Sequence, residues 1–529
     1  MWQWRAVCCC LVIILLTACT SNGADRSGLN EEQVITIGLH GRLSHLDPAE
    51  LQPNTAVILN NVKEGLFRIG KRNQVDKALV ESYKVSKDER VYTFQLKKDT
   101  KWDDGKPVTA ADFEFAWKRA LTPNLTSSSV SLFYVIKNAQ RYHLGKTTQD
   151  QVGVKATGKY TLVVTLERPE NDFIERLASP AFAPVRKDVV EKFGEAYGTK
   201  AESIRFNGPF VVKEWTPAKV VLQKNPNYWD QENVTLERAE FSLINNANKE
   251  MELYENEQLC LIPLYDHTDE YQHSKEFVES PEAKTSFITF NMEKKYLDNS
   301  DIRKAISYAI DRDVLTKQAL RNFSKSADGL IPPNVEIAGE SYRKSADSKL
   351  VEFDVEKAKK YLKRGLKEIN LSKMPELKIV TTSERVGVEV KRQLQENLGI
   401  EVKLVTIFSY DDFSKENGDL EIRDWKATYN DPMSFLEIFY SKSGQNNFHF
   451  SNEKYDKLIQ KEHELSDSNE KRSVASEAEK LLVKKLVAIV PLYFEGGTYL
   501  QKSYVKEVYR HPYVADLTLK WAYVTDQKE

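Results

Sequence analysis

The sequence predicts a mixed α/β protein, and three observations carry that reading. Some short runs alternate apolar and polar residues with the period of a strand, as where Tyr92, Phe94 and Leu96 share one face. Others place apolar residues three and four apart behind a capping residue: Thr109, with Asp112 three positions on, precedes Phe113, Trp117 and Leu121. Between residues 377 and 405 the patterns join as strand, helix and strand, which favours a parallel pair with a right-handed crossover.

The remaining elements follow in order. Residues 34–39 (VITIGL) read as a strand, and after the loop at Leu46, Asp47 and Pro48 an apolar helix-like segment runs to Leu66 and Phe67. Asp103, Asp104 and Gly105 form a tight turn. Leu162, Val164 and Leu166 alternate as a strand that stops at Pro169. The turn signal Asn207, Gly208, Pro209 opens a strand to Trp215, and Val220 to Leu222 make another. Residues 237–263 read as strand, helix and strand. A helix capped by Asn299 or Ser300 carries Ile302, Ile306, Ala309 and Ile310 on one side, and a last long helix covers 474–486 before Pro491.

Composition bounds the class. At 529 residues the chain is too long for one compact core and suggests about three lobes or domains. Its 76 Lys and Arg balance 78 Asp and Glu, so total charge draws it neither to nucleic acid nor to an anionic membrane. With 41% hydrophobic residues it is globular rather than disordered. Arg5 followed by the apolar run 6–18 reads as a signal peptide, too short to span a bilayer that needs about 20 residues. Leu16, Thr17, Ala18 and Cys19 resemble a bacterial lipobox, which makes Cys19 the expected lipidation site, and the polar stretch 19–32 reads as a flexible tether. Removing the leader takes Cys8, Cys9 and Cys10 with it. Cys260 then stands alone in an apolar patch, as a small buried hydrophobe.

The stretch 424–440 (DWKATYNDPMSFLEIFY) mixes aromatic surface with short polar groups, as a small-molecule pocket does. The plainer reading is a loop entering a helix, capped by Asp431 or Ser434, with Phe435, Leu436 and Phe439 as a buried stripe.

Motifs elsewhere resolve the choice of class. EGLFRIG (64–70), KWDDGKPVTAADFEFAWKRAL (101–121), NGPFVVKEW (207–215), NPNYWD (225–230), IRKAISYAIDR (302–312), YNDPMSFL (429–436), and RHP with LKWA near the end occur in one order. Together they resemble the extracytoplasmic solute-binding proteins, family 5, of peptide ABC importers, and most resemble the dipeptide and murein-peptide binders of Gram-positive bacteria. The resemblance implies a bilobal periplasmic-binding-protein-like fold of type II with an extra subdomain. It places the first lobe over 34–64, 186–285 and 495–521, the extra subdomain over 65–185 and the second lobe over 286–494. It implies a lipid-anchored monomer on the outer face of the cell membrane that captures short peptides in an interlobe cleft and hands them to permease subunits, with no cofactor and no metal. Carried over residue by residue, the ligand contacts would be Gln52, Asn54, Trp425, Lys426, Thr428, Tyr493, Phe494 and Glu495. Members of the family commonly hold the peptide ammonium with a carboxylate three residues after the tryptophan of this motif. Here that position is Thr428, which has no charge to offer.

A peptide-signal receptor is the alternative within the family, and an exported hydrolase lies outside it. The chain has no His-Glu-x-x-His and no Gly-x-Ser-x-Gly, and its Ser-x-x-Lys matches lack Ser-Asp-Asn and Lys-Thr-Gly partners. The phosphate-loop spacing from Gly153 to Lys159 puts Tyr160 where a magnesium-binding hydroxyl is required, and reads as a hairpin turn.

Overall fold

The computed structural model describes residues 28–526, apart from 124, 126–128, 171, 265–267, 281, 345–348, 408–411, 444–445, 447–449 and 514–516. The signal peptide and Cys19 lie outside the described residues. Among the described residues, no helix is long and apolar enough to cross a membrane.

Two sheets organise the molecule. The first has seven strands in the order Phe277–Glu279, Thr498–Gln501, Leu261–Pro263, Val34–His40, Arg238–Ile244, Lys219–Lys224 and Phe210–Trp215. Val34–His40 pairs in parallel with both of its neighbours. The second has six strands, in the order Lys325–Ser326, Ile489–Phe494, Lys284–Phe290, Leu420–Lys426, Leu377–Thr381 and Val402–Thr406. Its last two are the expected parallel pair, with the helix Glu384–Leu398 between them in sequence. Each sheet has its own buried core, and the architecture is bilobal. A four-stranded antiparallel sheet (Val80–Val85, Val91–Leu96, Thr161–Thr165, Val154–Gly158) packs with the helix Ala110–Ala120 onto the core of the first lobe.

Local chemistry explains the boundaries. The Asp112 carboxylate accepts from the Thr109 N–H (2.8 Å) and hydroxyl (3.0 Å), tying down the start of Ala110–Ala120 with Phe113 and Trp117 buried beneath it. Val154–Gly158 and Thr161–Thr165 pair antiparallel, so the phosphate-loop lookalike is a hairpin. Cys260 is buried, and its thiol, pushed up by burial, donates to the Thr36 carbonyl at 3.1 Å.

Two expected boundaries need correcting. The first helix is Pro53–Val62 and does not reach Phe67, which opens the strand Phe67–Ile69. The Asn207 and Gly208 N–H groups take the Val62 carbonyl while the Asn207 side chain accepts from Glu64 N–H, diverting the backbone after one apolar face is buried. The last long helix begins at Ser468, six residues before the expected start, because Asp467 caps it by accepting from the Asn469 and Glu470 N–H groups. It then continues as a wider turn over Leu481–Lys485.

The chain passes between the lobes twice. It leaves the seven-stranded sheet after Glu279 and enters the other at Lys284, then returns between Phe494 and Thr498. The two crossings are bonded side by side: Ser280 N–H to the Gly497 carbonyl (2.8 Å) and Glu495 N–H to the Lys284 carbonyl (2.9 Å). A Cβ on Gly497 would overlap the Ser280 carbonyl oxygen, and one on Gly496 the Phe323 carbonyl, so only glycine lets these backbones approach.

Candidate functional site between the lobes

Five of the eight expected contact residues meet where the chain crosses. Strand Lys284–Phe290 is central, with Lys426 opposite Lys284, Trp425 and Phe494 flanking Thr285, and Tyr493 opposite Ser286. Charges alternate across this seam. Lys284 Nζ lies 2.8 Å from Asp424 and 3.8 Å from Glu495, and Lys426 Nζ lies 3.2 Å from Glu282. Burial alone would lower the Lys284 ammonium, but Asp424 and Glu495 outweigh it and hold it well above its usual range. Burial pushes Glu495 upward. The seam therefore sets the carboxylates of Glu282, Asp424 and Glu495 among the ammonium groups of Lys284 and Lys426, with the Arg510 guanidinium also acting on Glu282.

Trp425 is half-buried, with its indole N–H donated to the Ser434 carbonyl at 2.7 Å. Tyr493 and Phe494 are buried, Tyr493 within the second lobe's core. Gln52 is exposed just before the helix Pro53–Val62, and the Asn54 amide donates to the carbonyls of His40 (2.9 Å) and Arg42 (3.1 Å). In the motif that follows Trp425, Asp431 accepts from Met433 N–H (2.7 Å) as a turn cap, and Phe435, Leu436 and Phe439 are core. Burial, then the neighbouring Glu462, pushes Asp431 well above the usual carboxylate range.

Directly beyond the seam, the Ala427 N–H bonds the Ala283 carbonyl (2.8 Å), and the next residues line a narrow interlobe cavity of about 20 Å³. Thr428, Tyr429 and Asn430 line it from the second lobe. Ile69, Asn73 and Val75 face them from one side, and Glu175 with Ala178 to Pro180 from another. Tyr513 contributes from the C-terminal segment. Of the eight expected contacts, Thr428 alone is in this wall. Its N–H donates to Ser434 Oγ at 2.8 Å, and its hydroxyl lies 3.3 Å from the same oxygen.

Contacts join the lobes on either side of the cavity. Arg176, 3% exposed, is held by Asp172 within its own helical turn (2.9 Å) and reaches across to the Tyr429 hydroxyl (2.8 Å) and Glu437 (3.4 Å). Its guanidinium lies over the Tyr429 ring, 4.1 Å from the centroid. His463 Nε2 lies 2.6 Å from the other Glu437 oxygen. Burial would raise the Glu437 carboxyl, yet Arg176 and the His463 hydrogen bond hold it below the ordinary carboxylate range. At the other side, the Tyr513 hydroxyl donates to the Asn334 carbonyl at 3.3 Å. Glu175, Arg176 and Glu437 carry no motif in the sequence. The one local sign was a Glu-Arg pair inside the apolar run FIERLA, which any solvated helix face would also explain.

The comparisons with known proteins agree with this geometry. The family model for bacterial extracellular solute-binding proteins, family 5 Middle, matches residues 74–447. The dipeptide-binding protein DppE of Bacillus subtilis is 30% identical over 532 residues, covering 96% of each chain. The substrate-binding domain of an oligopeptide ABC transporter from Bacillus anthracis superposes with a TM-score of 0.85 at 31% identity, over 94% of this chain and 100% of that one. The pheromone receptor PrgZ, solved to describe its mode of peptide binding, gives 0.84 at 33% identity, over 93% and 99%.

Proposed function

The chain belongs to the bacterial extracellular solute-binding proteins of family 5, and on that premise we propose that it is the binding component of an ABC importer, taking up short peptides between its lobes. The observation that carries this reading is the cavity beside the double crossing, walled from both lobes and spanned by Arg176. Two chain crossings side by side permit a hinge motion, and a ligand that touches both walls favours the closed state by the difference in its contacts between the two states. The lobes divide near the expected bounds of 285 and 494, with residues 65–185 as the extra subdomain of the first. Lipid on Cys19 tethers the monomer to the outer face of the membrane, where it meets its permease subunits. Trp425, Lys426, Thr428 and Glu495 border the ligand, and the protein releases it chemically unchanged, without cofactor or metal.

Native mass spectrometry of the protein with a mixture of two- to six-residue peptides tests this. Saturable one-to-one complexes with intact peptides are expected. Recovery of cleaved peptides, or no complex with any peptide, would refute the reading. The likeness to PrgZ favours one second reading, in which the bound peptide is a signal. Growth of a deletion strain on peptides as the sole source of a required amino acid separates the two: unimpaired growth favours the signal.

A further inference from the structure

Around Arg176 the lobes meet through more negative charge than positive. The first lobe brings Arg168, Glu170, Asp172, Glu175 and Arg176, from the segment between strand Thr161–Thr165 and the end of the short helix Phe173–Arg176. The second brings Asp431, Glu437, Glu462, His463 and Lys471, from the motif after Trp425 and the helices Glu453–His463 and Ser468–Lys480. These are six carboxylates, three permanent cations and one imidazole. Glu170, Asp172, Arg176, Glu462, His463 and Lys471 are all buried.

The pairing leaves part of that charge uncompensated. Arg176 is taken by Asp172 and Glu437, and Lys471 by one Glu462 oxygen at 3.2 Å. The other Glu462 oxygen is sealed from solvent with no hydrogen-bond partner among the described residues. Arg168 Nε lies 2.8 Å from Glu170 but is not aligned to donate to it, and the same guanidinium reaches His463 (3.3 Å) and Glu437 (3.9 Å). Across the interface Asp172 acts on both Asp431 and Glu462, anion on anion, while His463 acts on Glu170 and Lys471 on Glu175. The other titratable groups in contact are phenols: Tyr92 donates to the Glu170 carbonyl and Tyr429 to Glu437. Burial pushes the Glu170 carboxyl up to about 7 and raises those of Glu175, Asp431 and Glu462, whereas Glu437, despite burial, is held down by Arg176 and His463.

A buried charge without full compensation costs free energy, and a carboxylate escapes that cost by taking a proton. Opening parts the two faces and returns water to both, so the cost belongs to the closed form. We propose that closing the lobes takes up protons into this cluster, at Glu170, Asp431 and Glu462, so that the protein closes and holds its ligand more readily in mildly acid than in mildly alkaline surroundings. The sign follows from linkage. Carboxyls raised by closing bind protons more tightly in the closed form, which gains as pH falls from about 7 towards the ordinary 4.5 and loses as pH rises again. Glu437, held down, keeps its contact through that interval and opposes the trend only below it. The linkage rests on lobe motion alone, and only the peptide arm of its test rests on the peptide reading.

Two measurements test it. Small-angle X-ray scattering of the ligand-free protein should give a larger radius of gyration at pH 8 than at pH 5.5. Titration calorimetry with trialanine at pH 6, in two buffers of different ionisation heat, should show uptake of about half a proton or more per peptide bound. Trialanine itself is silent there, since its termini titrate near 3.5 and 8, to within about half a unit. Either signal supports the linkage, because a protein that stays open without ligand shows only the second and one that is already closed shows only the first. A radius that does not grow with pH together with no uptake, or release, overturns it. If trialanine fails to bind, that failure counts against the peptide reading and the scattering alone decides the linkage. Glu170→Gln combined with Glu462→Gln should cut the observed signal by about half or more, and an unchanged signal would place the protons elsewhere and overturn the assignment to this cluster. Should the double variant not fold, each single substitution is read in the same way.

Discussion

At the scale of single residues, burial decides what the polar groups do. Glu250 is the plainest case: it is 1% exposed in the helix Ala247–Glu255, packed against Gly38, and neither carboxylate oxygen has a partner among the described residues. Burial pushes its carboxyl up to about 7. The unfolded chain ionises this group near its ordinary value of 4.5 while the folded chain keeps it protonated, so the group costs nothing at low pH and destabilises progressively as pH rises toward 7. That interval amounts to about 3 kcal/mol. Glu250→Gln should therefore leave stability unchanged near pH 4 and raise it at pH 8, read as urea midpoints at both values. An equal effect at both would mean that the acid is not titrating as described. The same rule separates what was legible in the sequence from what was not. Asp431 as a turn cap and Phe435, Leu436 and Phe439 as core followed from spacing, because caps and stripes are local. The Arg176 to Glu437 contact joins residues 261 apart, and no window of sequence holds both.

Elements were legible where the residues that end them are near in sequence. The capping box at Thr109 and the Asn299 cap are of that kind, and both were readable. The first helix was misjudged at its end because what stops it, Asn207 and Gly208, arrives from a distant hairpin. The six-stranded sheet shows the same limit: its parallel unit could be read from residues 377–405, but the placing of Ile489–Phe494 beside Lys284–Phe290 could not. That placing depends on the crossing glycines. Gly497→Ala forces a methyl group onto the Ser280 carbonyl, and overpacking of this kind costs typically about 1–3 kcal/mol. A lower thermal midpoint is expected in scanning calorimetry. An unchanged midpoint would show that the two crossings separate without penalty and do not act as one rigid pivot.

For the whole molecule, the question is what balances the open and closed forms. The seam at the crossing contributes little to that balance, because Lys284, Asp424 and Lys426 lie on neighbouring strands, with Glu495 directly after the next one, and can stay together as the lobes part. Arg176 and Glu437 differ: one belongs to the first lobe and the other to the second, and opening must separate them. In the closed form Arg176 is buried and Glu437 half-buried, and removing one partner of a fully buried pair typically costs about 3–5 kcal/mol. Asp172 keeps Arg176 partly compensated, so the loss here lies below that range. His463 and the Tyr429 hydroxyl, on Glu437's own lobe, bond it in either form, so the contact that Glu437→Gln removes from the closed state alone is the one to Arg176. The ligand-free variant should show a larger radius of gyration by small-angle X-ray scattering than the unmodified protein, and saturating peptide should bring the two together. Its affinity for peptide should fall about tenfold or more, since part of the binding energy is then used to close the lobes. Because Glu437 is held below the ordinary carboxylate range, the unmodified protein keeps this contact through neutral pH and loses it only as pH falls into the acid region, where protonation removes the charge. A variant whose scattering and affinity match the unmodified protein would show that Arg176 and Glu437 meet only after the peptide has already closed the lobes.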